Sequence, residues 1–145
     1  MNKILVDTMW LEAIFTWEEQ PTTLTDALDA FADALDNGNI LGISSAVSLT
    51  EMIKNLGKKD ERRMRATIQE LKSSEIIFVN VTQKIAERAG ELHWKYGVPT
   101  ADSLIAATGM VENTRHVLTG DIRHFGPIKN LIKIIDLKQA LKMAR

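Results

Sequence analysis

The chain of 145 residues contains no cysteine. Disulfides, Cys-ligated zinc, iron–sulfur clusters and thiol catalysis are therefore excluded, and a reducing compartment fits. Proline is scarce: Pro21, Pro99 and Pro127 are scattered, each where an element should begin or end. Gly57, Gly90, Gly97 and Gly109 are isolated and make no phosphate-cradling loop. No apolar run approaches the roughly 20 residues that a membrane span needs. The opening Met1–Asp7 has neither a long apolar region nor a small-residue cleavage site, so a cytoplasmic protein without membrane contact is expected. Charge of one sign is also lacking. With a net charge of −1, nucleic acid cannot be held by bulk electrostatics, only by a local patch.

What is present is enough for one ordinary core. Apolar residues make up 45% of the chain, and the length suits a single domain over residues 1–145. Short apolar runs alternate with helical periodicities. Lys3–Val6, Ile40–Ser44, Ile76–Val79, Val117–Thr119 and Ile132–Ile135 read as strands. Between them, helices are expected from Thr8 to about Glu19, with Trp10, Ile14 and Trp17 on one stripe, and over Leu24–Leu35, stopped by Asn37-Gly38. Ser44 or Ser45 caps the next, which carries Val47 to Leu56, and a charged helix follows with Met64, Ile68 and Leu71 inside. Thr82 caps another, with Ile85, Ala89, Leu92 and Tyr96 on its buried side. Pro99-Thr100 opens the helix from Ala101 to about Glu112, and Asp136 begins the last. Strands alternating with helices imply a mostly parallel sheet covered on both faces, and ligands of such sheets sit at the carboxyl ends of the strands.

Four acids fall near that edge. Asp7 directly follows the first strand and Asp121 the fourth; each can equally be a helix N-cap. Asp102 shares an otherwise apolar stripe with Ile105, Ala106 and Gly109, where a carboxylate is costly unless paired or metal-bound. An acid in a first helical turn has a local rationale as well. Glu51 is mid-helix, on the face of Val47 and Asn55. It fits a solvated position, a capping box from Ser48, or a site. Two carboxylates about 5 Å apart repel by roughly 3 kcal/mol at an effective dielectric of about 20. Four in one cleft therefore call for a cation. Oxygen-only donors select magnesium or manganese over zinc.

These segments resemble the PIN-domain nucleases, most of all the VapC-type toxin of a VapBC toxin–antitoxin pair. The likeness spans nearly the whole chain. It is carried by Ile4-Leu5-Val6-Asp7-Thr8, by Ser48-Leu49-Thr50-Glu51, by Tyr96 to Thr108 around Asp102, and by Val117-Leu118-Thr119-Gly120-Asp121 with His124-Phe125. The resemblance implies a five-stranded, mostly parallel α/β/α sandwich. It implies a magnesium- or manganese-dependent endoribonuclease with RNA as substrate, a cognate antitoxin as partner, and a homodimer. Asp7, Glu51, Asp102 and Asp121 would be catalytic, with Asp7, Asp102 and Asp121 holding the metal. The sequence departs at Met9, where members often carry a polar residue, and at His124, where many carry a further acid; four acids rather than five are expected.

Other features are weaker. Lys54, Lys58, Lys59, Arg62, Arg63 and Arg65 form the most basic stretch, either a phosphate contact or a solvated face. His93, His116 and His124 have no ligand spacing, and Thr119 reads as a strand former or as an orienter of Asp121. The early helices, with Trp10, Trp17 and the Leu24–Leu35 stripe, offer apolar surface for a partner. A phosphatase-like use of Asp7 needs a second acid close behind, and Thr8-Met9-Trp10-Leu11 supplies none. Two readings stand beside the toxin: a housekeeping RNA-processing nuclease, and a weak or inactive PIN-like module that binds RNA or protein.

Overall fold

A computed structural model describes residues 2–144. Among these, five parallel strands form one sheet: β1 (Asn2–Val6), β2 (Ile40–Ser45), β3 (Ile77–Val79), β4 (His116–Leu118) and β5 (Lys133–Ile135). Their spatial order is β3-β2-β1-β4-β5. The helices are α1 (Thr8–Phe15), α2 (Thr22–Asp36), α3 (Ala46–Gly57), α4 (Glu61–Lys72), α5 (Gln83–Tyr96), α6 (Thr100–Val111), α7 (Ile122–Phe125) and α8 (Leu137–Met143).

Side-chain alternation along the strands divides the core into two layers. Ile4 and Val6 of β1 face one side with Leu118 and Ile135, packing on Leu11, Leu28, Phe31, Met52, Leu71 and Ala140 from α1–α4 and α8. Leu5, Ile43 and Val117 face the other side with Ile85, Leu92, Ile105 and Phe125 from α5, α6 and α7. The result is the expected α/β/α sandwich. Where α2 and the segment entering β3 press on β2, a side chain at position 42 has no room. A Cβ on Gly42 would lie 2.6 Å from Ile76 Cδ1 and 2.8 Å from Leu35 Cδ2.

The first two crossovers carry the chain from β1 outward to β3. It then returns to the opposite flank of β1, pairing Val6 with Leu118. The direction of winding thus reverses between β1 and β4, and a crevice opens outside their carboxyl ends.

Several local expectations are corrected. The first helix ends at Phe15 rather than Glu19. Thr16 leaves helical geometry, and a 3-10 turn over Trp17–Glu19 follows. That break removes Trp17 from the Trp10–Ile14 stripe and leaves it 49% exposed. The Leu24–Leu35 stripe is not spare surface, because Leu28, Phe31 and Leu35 are buried in the core. Tyr96, expected inside, is exposed at the end of α5, where Gly97 closes the helix at φ +71°. Ser45, not Ser44, caps α3, accepting from the Val47 amide; Ser44 instead ties β2 to β1 by donating to the Val6 carbonyl. Ser48 therefore lies inside α3 and starts no capping box. Among the described residues no helix is long and apolar enough to cross a membrane.

Candidate metal centre

Asp7 is the first residue after β1, and its amide donates to the Leu118 carbonyl of β4 at 3.1 Å. The backbone thus pins it at the crevice. Its side chain is 6% exposed and has two donors: the Thr8 amide at 2.8 Å and the Thr119 hydroxyl at 2.8 Å. It is the N-cap of α1 and lines the cleft, so both readings of this residue hold together. Thr8 turns the other way. Its hydroxyl donates to Glu51 Oε1 at 2.6 Å and lies 2.9 Å from the Ser48 hydroxyl. Glu51 is thereby brought from α3 onto the same cleft.

Asp102 arrives from the opposite layer, in the first turn of α6. The α5–α6 connection holds that turn in place. The Val98 carbonyl accepts from the Ser103 hydroxyl at 2.9 Å and meets His93 Nδ1 at 2.7 Å. His93 is accordingly a structural residue. Ile105, Ala106 and Gly109 of the same stripe are buried, and Asp102 stands where the stripe emerges at the sheet edge.

Asp121 caps α7, accepting from the His124 amide at 3.1 Å through Oδ1, and its own amide donates to Thr119 Oγ1 at 3.0 Å. One threonine hydroxyl, buried at the end of β4, therefore bridges the two strand-end acids. The strand-former reading of Thr119 misses this. The cleft of about 450 Å³ is lined by Asp7, Thr8, Met9, Glu12, Glu51, Asn55, Asp102, Gly120 and Asp121. All four acids singled out in the sequence lie on it. Met9 is at its rim, where a Cβ on Gly120 would meet Met9 Cε at 2.5 Å.

Two participants were not offered by the sequence as site residues, Glu12 and Asn55. Glu12 adds a fifth carboxylate, held by the Asn55 amide at 2.9 Å. A helical i, i+4 step from Thr8 to Glu12 was the available signal. His124, placed beside the fourth acid by the sequence, has Nδ1 2.9 Å from Asp102 Oδ2 and 2.7 Å from Asp121 Oδ2. Of the basic stretch, Lys59 lines a groove with Met9 and Glu12 beside the cleft, whereas two arginines are paired elsewhere. Arg63 pairs with Glu18 and Glu19, and Arg65 with Glu61 at 3.6 Å.

The electrostatics follow from the crowding. Burial pushes the Asp7 carboxyl up to about 6, opposed by the Thr119 and Thr8 hydrogen bonds and reinforced by Asp102 and Glu51. Asp102 is also raised, first by burial and then by Asp121, with His124 acting against. Acids that resist ionisation beside one another form a donor set of hard oxygens, which suits a divalent cation.

An α/β/α sandwich with carboxylates gathered at the reversal point of a parallel sheet defines an acidic-cleft α/β domain. The family model for the PIN domain matches residues 4–128, and the chain belongs to the PIN domain family. PIN domains are generally nucleases, hydrolases acting on nucleic acid, and typically use divalent metals. Solved structures share the fold. A chain of the Rickettsia felis VapBC2 structure bound to a promoter DNA fragment matches at TM-score 0.69 and 20% identity, covering 92% of this chain and 98% of that one. A chain of the DNA-bound VapBC from Salmonella typhimurium matches at TM-score 0.69 and 21% identity, covering 94% and 99%. A chain of a Klebsiella pneumoniae toxin–antitoxin complex matches at 0.63 and 20%, covering 92% and 97%. No curated protein gives a significant sequence match.

Proposed function

We propose that this chain is a magnesium- or manganese-dependent endoribonuclease, a single nuclease domain acting as the toxin of a toxin–antitoxin pair. The observation that carries the reading is the convergence of Asp7, Glu51, Asp102 and Asp121 on one cleft at the reversal point of the sheet. In this reading Asp7, Asp102 and Asp121 hold the cation. When bound, it offsets their repulsion, makes a water more acidic and screens charge developing on a phosphate oxygen. Glu51, with Oε1 fixed by the Thr8 hydroxyl, accepts a proton from the attacking water. Water attacks phosphorus, one phosphorus–oxygen bond breaks, and the products are a phosphate monoester end and a hydroxyl end. Thr119 keeps Asp7 and Asp121 in register while this happens.

A cognate antitoxin and a second copy of the chain complete the proposal. The antitoxin rests on the fold's likeness to chains from toxin–antitoxin complexes. Of the apolar surface expected on the early helices, Leu28, Phe31 and Leu35 are core, while Trp17 stays 49% exposed and open to a partner. Trp94, 72% exposed on α5, is a second anchor for an interface. Sedimentation of the purified chain, alone and with the product of a neighbouring small gene, tests both.

The activity test is cleavage of single-stranded RNA by the purified protein in magnesium, in manganese and in chelator. Asp102→Asn is nearly isosteric and relieves repulsion, so the fold should persist. Cleavage should fall about a hundredfold or more, the scale for losing one group that stabilises developing charge. Cleavage that continues in chelator, or that survives the substitution intact, sinks the mechanism.

A further inference from the structure

We propose that His124 is a cation ligand, and that its nitrogen makes the site selective for a first-row transition ion such as manganese or cobalt over magnesium. The inference rests on the cation site argued above and deepens it. The relevant geometry is local to α7. Asp121 uses Oδ1 to cap the helix through the His124 amide, which leaves Oδ2 turned to the cleft. One turn later the His124 ring folds back over the same cleft edge. Its Nδ1 stands 2.7 Å from Asp121 Oδ2 and 2.9 Å from Asp102 Oδ2. One donor atom from each of the three residues falls within 4.8 Å of the others.

Those spacings are informative. Neighbouring ligands of an octahedral ion with bonds of about 2.1 Å lie about 3 Å apart. The imidazole nitrogen is therefore already at ligand spacing from both carboxylates, without a change of backbone. Without a cation, Nδ1–H is a hydrogen-bond donor to the two acids. With one, Nδ1 turns its lone pair to the ion, and the neutral ring carries its single N–H on Nε2 instead. Carboxylates alone favour magnesium, whereas an imidazole nitrogen shifts preference toward borderline transition ions. The histidine differs from its neighbours in chemistry: Asp7, Glu51, Asp102 and Asp121 all offer oxygen.

Two roles must be told apart, because a ring that only pairs with the acids would compete with every cation. His124→Asn separates them. The Asn amide can place an N–H near the position of Nδ1 but is a poor nitrogen ligand. The experiment uses the full chain with manganese and magnesium salts as probes. Binding constants come from calorimetry, and nitrogen coordination from the ¹⁴N modulation in the pulsed electron paramagnetic resonance of bound manganese. Asp102→Asn serves as the control for the site itself. The proposal expects ¹⁴N coupling in the parent protein and its loss in His124→Asn. The preference for manganese over magnesium should also drop by about tenfold, with magnesium affinity little changed. Manganese that binds with sensitivity to Asp102→Asn but without ¹⁴N coupling overturns the role of His124 and leaves the carboxylate site standing. Affinity that rises equally for both ions in His124→Asn also overturns it, because the ring then only obstructs. Manganese that fails to bind, or binds indifferently to Asp102→Asn, overturns the site reading and this inference together.

Discussion

Asp7→Asn isolates the energetic burden of a buried charge in the cleft. In the cation-free protein the Asp7 carboxyl titrates near 6 instead of 3.8, chiefly because burial penalises the anion. At about 1.4 kcal/mol per pH unit, keeping it ionised at neutral pH costs the fold about 3 kcal/mol. The sign follows from the protons bound. Between the two values the folded state holds a proton that the unfolded state has lost. Stability therefore falls as pH rises from about 4 to about 6, and the loss is complete above the folded value. Asp102 shifts in the same direction. His116 works the other way: burial, Lys133 and Arg115 depress it, so its contribution is lost as pH falls. The difference between the Asp7→Asn and parent curves removes His116 and most of Asp102.

The Asn side chain keeps an acceptor for the Thr8 amide and presents a donor to Thr119, so most local hydrogen bonding survives. In chelator at neutral pH, Asp7→Asn should be the more stable protein, by up to about 3 kcal/mol. The gap should close toward about pH 4. Adding manganese or magnesium should stabilise the parent by mass action and leave the variant nearly unmoved. Urea unfolding followed by tryptophan fluorescence across this range, with and without cation, provides the measurement. A variant less stable than the parent at neutral pH in chelator, or a pH-independent gap, would falsify the claim that Asp7 is a strained buried anion.

Thr119→Val keeps the shape of the strand end but removes the hydroxyl shared by Asp7 and the Asp121 amide. It should cost about 1–3 kcal/mol, raise the Asp7 titration further and weaken cation binding, as read by denaturation and calorimetry. Gly42→Ala should lower stability by about 1–3 kcal/mol, because its Cβ meets packed Ile76 and Leu35 side chains. Gly120→Ala meets only the tip of exposed Met9, which can swing away, so its melting temperature should stay within a degree or two of the parent's. Equal losses for the two glycine substitutions would contradict the packing described here.

Local pattern along the chain was enough to define the layers and the acids. Apolar runs of strand length, separated by helical periodicities, fix a covered parallel sheet, because only that arrangement buries such strands on both faces. Asp7 and Asp121 were legible because they end runs, and Asp102 because a charge interrupts an apolar stripe. Caps such as Thr82 and Asp136 were legible because their hydrogen bonds are local. What sequence could not decide is whatever depends on distance through space. The break at Thr16 turns on local backbone geometry that helical periodicity does not register. The pairing of β1 with β4, 112 residues apart at Asp7 and Thr119, is a choice of topology that no local pattern encodes. Glu12 and Asn55 look like ordinary helix residues until the fold sets them facing the other acids. His124 acquires its place between Asp102 and Asp121 only because α6 and α7 meet at one edge of the sheet, and that meeting is a property of the packed layers.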